Sequence, residues 1–217
     1  MNNSSSFEGV SVPKTLSQYV YIHLKDAIIS NELQARERID EKIITEKFQI
    51  SRTPVREAIN RLAGEGFITI DQHRDAHVRE LTLAELQEIA QVLGLLDGHA
   101  LASILDRLRP ADLSALEKMT AKLEKYFQEE SLNKFYQTNF AIHEKLWSFL
   151  PPGYLYTTLK IGASHMQRYC LNAEMPHSHE EMLKHSSKHH QWLMQSLKTK
   201  DAKGLSTLMR QHWSPDL

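Results

Sequence analysis

Apolar positions in the first third of the chain recur with helical spacing. Over Leu16–Ile29 they return mostly every three or four residues, the period of an amphipathic helix. Two more helices are predicted, at about 40–48 and 53–64. Ser51 is a good N-cap residue and Pro54 suits only a first helical turn, so the third helix is expected to begin here.

The pattern then changes to short β-prone runs. Phe67–Ile70 and His77–Leu81 are separated by a polar turn, which predicts a two-stranded hairpin. From Thr82 onward the period is again helical, and Thr82 with Glu85 has the spacing of a capping box. Three helices followed by a hairpin are typical of a winged helix-turn-helix.

The remainder of the chain is predicted to be entirely helical. Its connections are short and rich in Pro, Gly, Lys and Asp, so neighbouring helices should be antiparallel. The fold class is therefore mainly α: an N-terminal winged helix-turn-helix and a C-terminal antiparallel bundle of about six helices. The expected organisation is a flexible leader at 1–14, a DNA-binding domain at 15–81 and a helical domain at 82–217. The helices of the bundle are expected at about 82–107, 110–129, 131–150, 154–172, 179–197 and 201–213.

Composition narrows the class of protein. The 217 residues are 41% hydrophobic and 24% charged, as in a globular chain. The longest mainly apolar runs, Ile89–Leu96 and Leu146–Leu159, are shorter than the ~20 residues of a membrane span. The N-terminus lacks the basic flank of a secretory signal. Cys170 is a single cysteine, which suits a reducing compartment. We expect a cytoplasmic protein without a membrane partner.

Net charge alone does not indicate a nucleic-acid partner. Residues 1–80 carry 11 basic and 12 acidic side chains, and the rest carries 15 of each. The local pattern at the third helix is more informative. Arg52 and Arg56 are four residues apart and share a face, with Ser51 and Thr53 beside them. Arginine can bind guanine or phosphate through its planar fork, and hydroxyls suit phosphate oxygens. The alternative is an ordinary solvated helix face.

The segment Ile50–Ile68 closely resembles the signature of GntR-family bacterial transcription regulators. The resemblance implies that Lys42 touches phosphate from the second helix. It also implies a DNA-binding set of Ser51, Arg52, Thr53 and Arg56. The family usually carries a glycine near the wing tip, where this chain has Arg74-Asp75. His73 and Arg74 are the candidates for the wing contact.

Four residues of the helical half are predicted to converge. Asn139 and His143 are four apart on one helix and project from one face. His190 lies nine residues before Thr199, and His212 lies eleven residues after Asp201. In an antiparallel hairpin the two histidines would be level to within ~3 Å. The alternative is three ordinary hydrogen-bonded histidines of a bundle.

Residues 83–213 also resemble the ligand-binding domain of the FadR-type branch of this family. Many members resemble binders of a divalent metal through one Asp and three His. Here Asn139 stands at the first position, with His143, His190 and His212 at the others. A neutral amide leaves the charge of the ion largely uncompensated, so an anionic effector could supply it. Imidazole ligands suit zinc or nickel.

Arg168 resembles a position where relatives often place an arginine near the pocket, and its fork could bind an effector carboxylate. Leu93 stands where relatives commonly have arginine, which weakens the case for a dicarboxylate. Candidates for the pocket wall, with plain core as the alternative, are Tyr136, Gln137, Trp147, Met166 and Tyr169. Residues expected at the surface are His177, His179, His185 and His189.

These observations predict a DNA-binding transcription regulator, on family resemblance a repressor rather than an activator. A single recognition helix makes few base contacts, so a homodimer on a pseudo-palindromic operator is expected. A small effector, carboxylate-containing and bound at a divalent metal, would modulate operator affinity. One alternative is a metal-dependent hydrolase-like enzyme, which would need a carboxylate base; only Glu144 lies near the ligands in sequence, and it points elsewhere. Another is a purely structural dimerisation bundle.

Overall fold

The computed structural model describes residues 15–171 and 179–213, with the backbone alone at 179–182. The expected leader, His177 and the side chain of His179 lie outside the described residues. The chain divides into two compact units. One contains the residues up to Ile28 with Glu32–Glu80, and the other contains Ile29–Asn31 with the residues from Leu81 onward. The domain boundaries expected from the sequence stay predictions.

The N-terminal unit is a winged helix-turn-helix, as predicted. Its apolar side chains meet in a small core that includes Val20, Val55 and Phe67, each fully buried. Its elements are α1 (Leu16–Ile29), β1 (Arg38–Ile39), α2 (Glu41–Phe48), α3 (Arg52–Gly64), β2 (Ile68–Ile70) and β3 (Ala76–Val78).

The wing has one more strand than the predicted hairpin. β3 pairs with β2 on one side and with β1 on the other, both antiparallel, so the strand order is β1-β3-β2. The predicted hairpin is therefore present as β2 and β3, and the sheet contains a third strand, β1, that was not predicted. β1 is only two residues long, too short to show an alternating pattern, although Ile39 is buried and Arg38 pairs with His77.

The C-terminal unit is the predicted antiparallel bundle of six helices. A 3-10 turn, Leu105–Arg107, extends the first helix. Within the described residues the helices are α4 (Leu83–Ile104), α5 (Pro110–Gln128), α6 (Leu132–Trp147), α7 (Tyr154–Leu171), α8 (His179–Thr199) and α9 (Ala202–Trp213).

Helix α4 is the central helix of this bundle. It begins with the predicted capping box, in which Thr82 and Glu85 bond each other's backbone N–H. It packs against α9, α7 and α6. Among the described residues, Leu83–Arg107 forms one helix whose length and apolar composition would allow it to cross a membrane, and half of its apolar window is buried inside the protein. Contacts with three helices account for that apolar character.

Two glycines allow α4 and α9 to touch through their backbones. A Cβ atom at Gly94 would lie 2.8 Å from the Cα atom of Arg210, and one at Gly98 would lie 2.9 Å from the Cα atom of Ser206. Real Cβ atoms are not found so close to a backbone atom. The close crossing of the two helices therefore requires glycine, which has no Cβ atom, at both positions.

Candidate functional site

Helix α3 presents its polar residues to solvent. Ser51 precedes the helix as its N-cap residue with an extended backbone, and its side chain makes no capping hydrogen bond. Ser51, Arg52, Thr53 and Arg56 are all exposed, while Val55 and Ala58 on the other face are buried. An exposed polar helix start with unused hydroxyl and N–H groups suits phosphate and base edges.

The two arginines of α3 differ in their surroundings. Arg56 donates from Nε to both carboxylate oxygens of Glu41, at 3.0 and 3.1 Å, and 60% of its side chain is exposed. Arg52 has no ion pair among the described residues. Glu41 could not be recognised as a partner from the sequence, because it lies on α2, fifteen residues away. Glu41 holds the Arg56 side chain at the surface, where its two remaining nitrogens stay available.

Lys42 and the wing residues are also exposed. Lys42 lies on the first turn of α2, whose N-cap Asp40 accepts from the Lys42 backbone N–H at 2.7 Å. His73 and Arg74 lie in the turn of the wing, and Arg74 has φ 65°. This is the left-handed region that glycine adopts freely. At the position where the family resemblance leads us to expect glycine, this chain therefore has a left-handed turn residue that is cationic.

Asp71 stabilises the turn of the wing. Its Oδ1 atom accepts from the backbone N–H groups of His73 and Asp75, at 2.8 and 2.9 Å. The pKa of Asp71 lies below its usual value, chiefly through the hydrogen bond from Asp75. These bonds compensate for the less favourable backbone of Arg74.

Three histidines meet inside the C-terminal unit. His143 from α6, His190 from α8 and His212 from α9 each offer one nitrogen, and the three nitrogens lie within 4.8 Å of one another. His143 Nε2 and His212 Nε2 are 3.0 Å apart. Two nitrogens bound to one tetrahedral zinc ion at ~2.0–2.1 Å would lie about 3.3 Å apart. The His143–His212 pair is already close to this distance, whereas separations of up to 4.8 Å in the cluster would have to shorten.

Two histidines of the cluster favour the neutral form, which can bind a metal cation. Burial, with the nearby imidazole of His143, lowers the pKa of His190 to about 3. Burial and the neighbouring histidines also place the pKa of His212 well below its usual value. His190 Nδ1 donates to the Ser186 carbonyl at 2.8 Å. Its Nε2 atom is buried and has no hydrogen-bond partner among the described residues, so this lone pair is available to a metal.

Asp97 is the residue that the sequence analysis missed. It lies on α4, fully buried, with one oxygen 2.9 Å from His143 Nδ1 in a contact too bent for a regular hydrogen bond. The indole N–H groups of Trp147 and Trp213 donate to its two oxygens at 2.6 and 2.8 Å. A carboxylate behind a ligating histidine orients the ring and raises its basicity. The one available signal was an acid within an otherwise apolar helical pattern, since a buried charge needs partners.

Asn139 lies beside the cluster, one turn before His143 on α6. It is 6% exposed, and its Oδ1 atom accepts from the Ser186 hydroxyl at 2.9 Å. A carbonyl oxygen has a second lone pair. Asn139 can therefore bind Ser186 and still offer an oxygen to a metal or to a ligand.

A small pocket of about 60 Å³ opens beside Asn139 and His212. Tyr136, Met166 and Tyr169, all candidates from the sequence, line this pocket. Gln137 and Trp147 are not among its described lining residues, and Trp147 instead holds Asp97 in the core. The lining residues are Tyr136, Asn139, Phe140, Met166, Tyr169, Cys170, His185, Ser186, His189, His212 and Trp213.

Two residues are placed differently from the expectation. His189 is 2% exposed, not at the surface, because its ring packs between His185 and Trp192 and faces the pocket. Arg168, the expected effector ligand, is buried on α7 and has an interaction of its own. It is not among the described residues that line the pocket. His185 is exposed, as expected, and lies at the pocket.

A winged helix-turn-helix followed by a helical bundle is typical of a bacterial transcription regulator. Residues 16–78 match "Bacterial regulatory proteins, gntR family" and residues 88–214 match "FCD domain". The second match covers more than half of the chain. This chain belongs to the GntR family of transcription regulators and carries an FCD effector-binding domain; it is not an enzyme.

Relatives of similar length are also transcription regulators. The chain is 25% identical over 199 residues to the uncharacterised HTH-type regulator YdhC of Bacillus subtilis (strain 168), covering 90% of this chain and 87% of YdhC. It is 26% identical over 218 residues to the regulator McbR of Escherichia coli (strain K12), covering 91% of each. The repressor RspR of the same organism is 21% identical over 131 residues, covering 60% of this chain and 58% of RspR.

Solved structures have the same fold. E. coli McbR/YncC superposes with a TM-score of 0.75 at 22% identity, over 92% of this chain and 93% of that one. A GntR-type regulator from Rhodococcus sp. RHA1 gives a TM-score of 0.67 at 18% identity, over 91% and 93%. At these identities the likeness establishes the fold and nothing more specific.

Proposed function

We propose that this regulator is a metal-dependent repressor that binds a pseudo-palindromic operator as a homodimer and responds to a small carboxylate effector. The observation that carries the metal is the histidine cluster, in which three nitrogens lie within 4.8 Å and His190 Nε2 is buried without a partner. His143, His190 and His212 would hold a divalent ion, zinc or nickel, with Asn139 as the fourth protein group. A bound ion supplies Lewis-acid coordination of the effector.

The protein residues around the ion have separate tasks. Asp97 fixes the ring of His143, and the Ser186 carbonyl fixes the ring of His190. The bond to the Ser186 carbonyl selects the Nδ1–H tautomer of His190, and the negative charge of Asp97 close to Nδ1 favours the same tautomer of His143. Nε2 of each ring is then free to bind a metal. Asp97 is not a general base, since two indoles and His143 already occupy its oxygens. This arrangement favours a sensor over a hydrolytic site.

Operator binding is assigned to the exposed set on α2, α3 and the wing. Arg52 and Arg56 are proposed to reach bases and phosphates, and Ser51, Thr53 and Lys42 to bind phosphates. His73 and Arg74 are proposed for the minor-groove contact of the wing. The repressor role is supported by the name of the relative RspR. We place the protein in the cytoplasm, where its operator is.

A second copy would dock most readily on α4. Val92 and Leu95 are apolar and about half exposed, one turn apart on that helix. A homodimer would cover them and bring two α3 helices to two half-sites. Leu95→Glu should then shift the protein towards a monomer in size-exclusion chromatography with light scattering, whereas Leu132→Glu, at an equally exposed leucine on α6, should not.

Two measurements on purified full-length protein test this function. Sequencing of the genomic fragments that the protein retains should yield a pseudo-palindrome, and deletion of one half-site should remove most of the specific binding free energy. Elemental analysis should find one divalent metal ion per chain. If the protein bound a single half-site with full affinity, operator binding as a dimer would be excluded. If the protein contained no metal after incubation with zinc or nickel, the helical domain would be a purely structural bundle.

A further inference from the structure

The pocket beside the histidine cluster has an aromatic wall. Tyr136 and Phe140 contribute from α6, Tyr169 from α7 and Trp213 from α9, and Met166 adds a thioether. The rings of Phe140 and Trp213 are tilted against each other with centroids 6.0 Å apart. Aromatic and methionine side chains present flat, polarisable surfaces that favour ring contacts. The wall therefore suits a ring better than a short polar chain.

The described lining residues carry no Arg, Lys, Asp or Glu. Burial raises the pKa of the Cys170 thiol to about 12 and the pKa of the Tyr136 phenol above its usual value. Near neutral pH these groups are uncharged. Apart from its histidines, the described wall therefore brings no charge of its own, and the buried carboxylate of Asp97 lies behind His143.

The charge balance of the site favours one negative charge on the ligand. Three neutral imidazoles and the amide of Asn139 leave the two positive charges of a divalent ion unchanged, and the buried carboxylate of Asp97 offsets one of them. A monocarboxylate would neutralise the remaining charge. A dicarboxylate would leave one carboxylate in a pocket whose described wall offers no Lys or Arg, and burying an unpaired charge is unfavourable.

We propose that this pocket takes an aromatic monocarboxylate with a single ring, whose carboxylate reaches the ion and whose ring lies against Tyr169 and Phe140. This inference rests on the proposed metal site and narrows the effector from carboxylates in general to one class. A pocket of about 60 Å³ is too small for fused rings or a long acyl chain. Because a cavity of about 150 Å³ encloses a whole benzene ring, a single ring would lie partly at the mouth of this pocket.

Three acids distinguish the features of this ligand class. Benzoate has the ring and one charge, cyclohexanecarboxylate has the charge and similar bulk without an aromatic ring, and succinate has two charges without a ring. Each is titrated by calorimetry into metal-loaded and chelator-stripped full-length protein. We expect benzoate to bind the loaded protein several-fold more tightly than cyclohexanecarboxylate and at least about tenfold more tightly than succinate, and to raise the melting temperature only of the loaded form.

A matched pair of variants tests the wall itself. Tyr169→Leu removes a ring from the pocket, and Tyr154→Leu removes one at the exposed start of the same helix. Metal content should stay at the wild-type value in both, since neither tyrosine belongs to the cluster. Benzoate binding should weaken about fivefold or more in Tyr169→Leu and stay unchanged in Tyr154→Leu.

The outcomes separate this proposal from the function on which it rests. If the protein retains metal and succinate binds as tightly as benzoate, the aromatic class is wrong while the metal site stands. If benzoate binds the stripped protein equally well, coordination through the carboxylate is wrong. If no metal is retained, the proposed metal site fails and this proposal fails with it, whatever the operator measurements give.

Discussion

The arginines of α3 stand in solvent, whereas Asp97 and the histidines of the C-terminal unit are enclosed by the bundle. Arg56 is 60% exposed, and Asp97 and His143 are both 0% exposed at their side chains. A macromolecular partner such as DNA can contact only those charges that are exposed at the protein surface. A small ligand or ion instead gains from charges already desolvated and oriented, because no reorganisation is then needed on binding. The two units therefore illustrate how burial of polar groups indicates the size of the expected partner.

The largest effect is expected from removing a ligand of the buried site. His143→Ala should abolish metal retention and lower the melting temperature, since an ion that binds only the folded protein stabilises it. Elemental analysis and thermal unfolding, with and without zinc, check this result. His99→Ala is the control, because His99 is exposed on α4 in the same unit. Unchanged metal content in His143→Ala would overturn the site and the contrast between the units.

Asp97→Asn should show that the buried carboxylate supports the ion without touching it. The amide keeps the shape, but its NH₂ group would face an indole N–H or the ring of His143. Metal affinity is expected to fall ~10–100-fold, as for other supports of a ligating histidine. Competition with a coloured chelator measures the affinity. Affinity equal to that of wild type would mean that Asp97 serves only the packing of the two tryptophans.

Substitution of the exposed arginines of α3 should change operator binding and leave metal binding unchanged. Arg52→Ala and Arg56→Ala should each weaken operator binding by ~1–3 kcal/mol while metal content stays constant. A lost base contact should relax specificity, and a lost phosphate contact should flatten the salt dependence. Gel shifts at two salt concentrations decide between them. Lys118→Ala removes one exposed charge from α5 as the control, and wild-type affinity in both arginine variants would contradict the assignment of α3.

The variant Asn139→Asp tests how the charge at this position affects binding of the metal and of the effector. A carboxylate at this position should tighten metal binding about tenfold, because it adds a charge to the ligand set. It should also lower the affinity for an anionic effector several-fold, because the charge of the effector is then no longer needed at the ion. Calorimetric titrations of zinc and of benzoate into both proteins measure the two effects. Changes of the same sign would show that Asn139 does not face the ion.

The smallest effect concerns the turn of the wing. Arg74→Gly should relieve a left-handed backbone that costs a non-glycine residue ~1–2 kcal/mol, with part of the gain lost to the more flexible unfolded chain. We expect a stabilisation of about 0.5–1 kcal/mol in urea unfolding. Operator affinity should fall if Arg74 contacts DNA. Gln72→Gly, at a position without positive φ, should destabilise instead, and equal effects of the two variants would contradict the strain argument.

Local periodicity predicted most of the fold. The spacing of apolar residues, the N-cap residues and the helix-ending Pro and Gly residues predicted all six helices of the bundle and the three helices of the winged helix-turn-helix. The heights of His190 and His212 relative to the α8–α9 turn correctly brought their rings together, with centroids 4.8 Å apart. What the period cannot show is a contact that depends on distant segments. Strand β1, two residues long, exists only because β3 lies beside it.

Asp97 was missed for the same physical reason. Its partners Trp147 and Trp213 lie 50 and 116 residues further along the chain, so no spacing on α4 indicates them. His189 was expected at the surface because consecutive residues on a helix point about 100° apart. The prediction failed because the rings of Trp192 and His185 cover that second face of α8.

Gly94 and Gly98 have a consequence for how this protein can change over evolutionary time. They let the backbone of α4 meet that of α9, which carries His212 and Trp213, so any larger side chain there would displace one wall of the site. Neither glycine touches a ligand. We nevertheless expect both to tolerate fewer replacements than Tyr169 or Met166, whose exchange would alter only the preferred effector. We therefore expect the ligand response to diversify through the lining residues while the crossing of α4 and α9 stays the same.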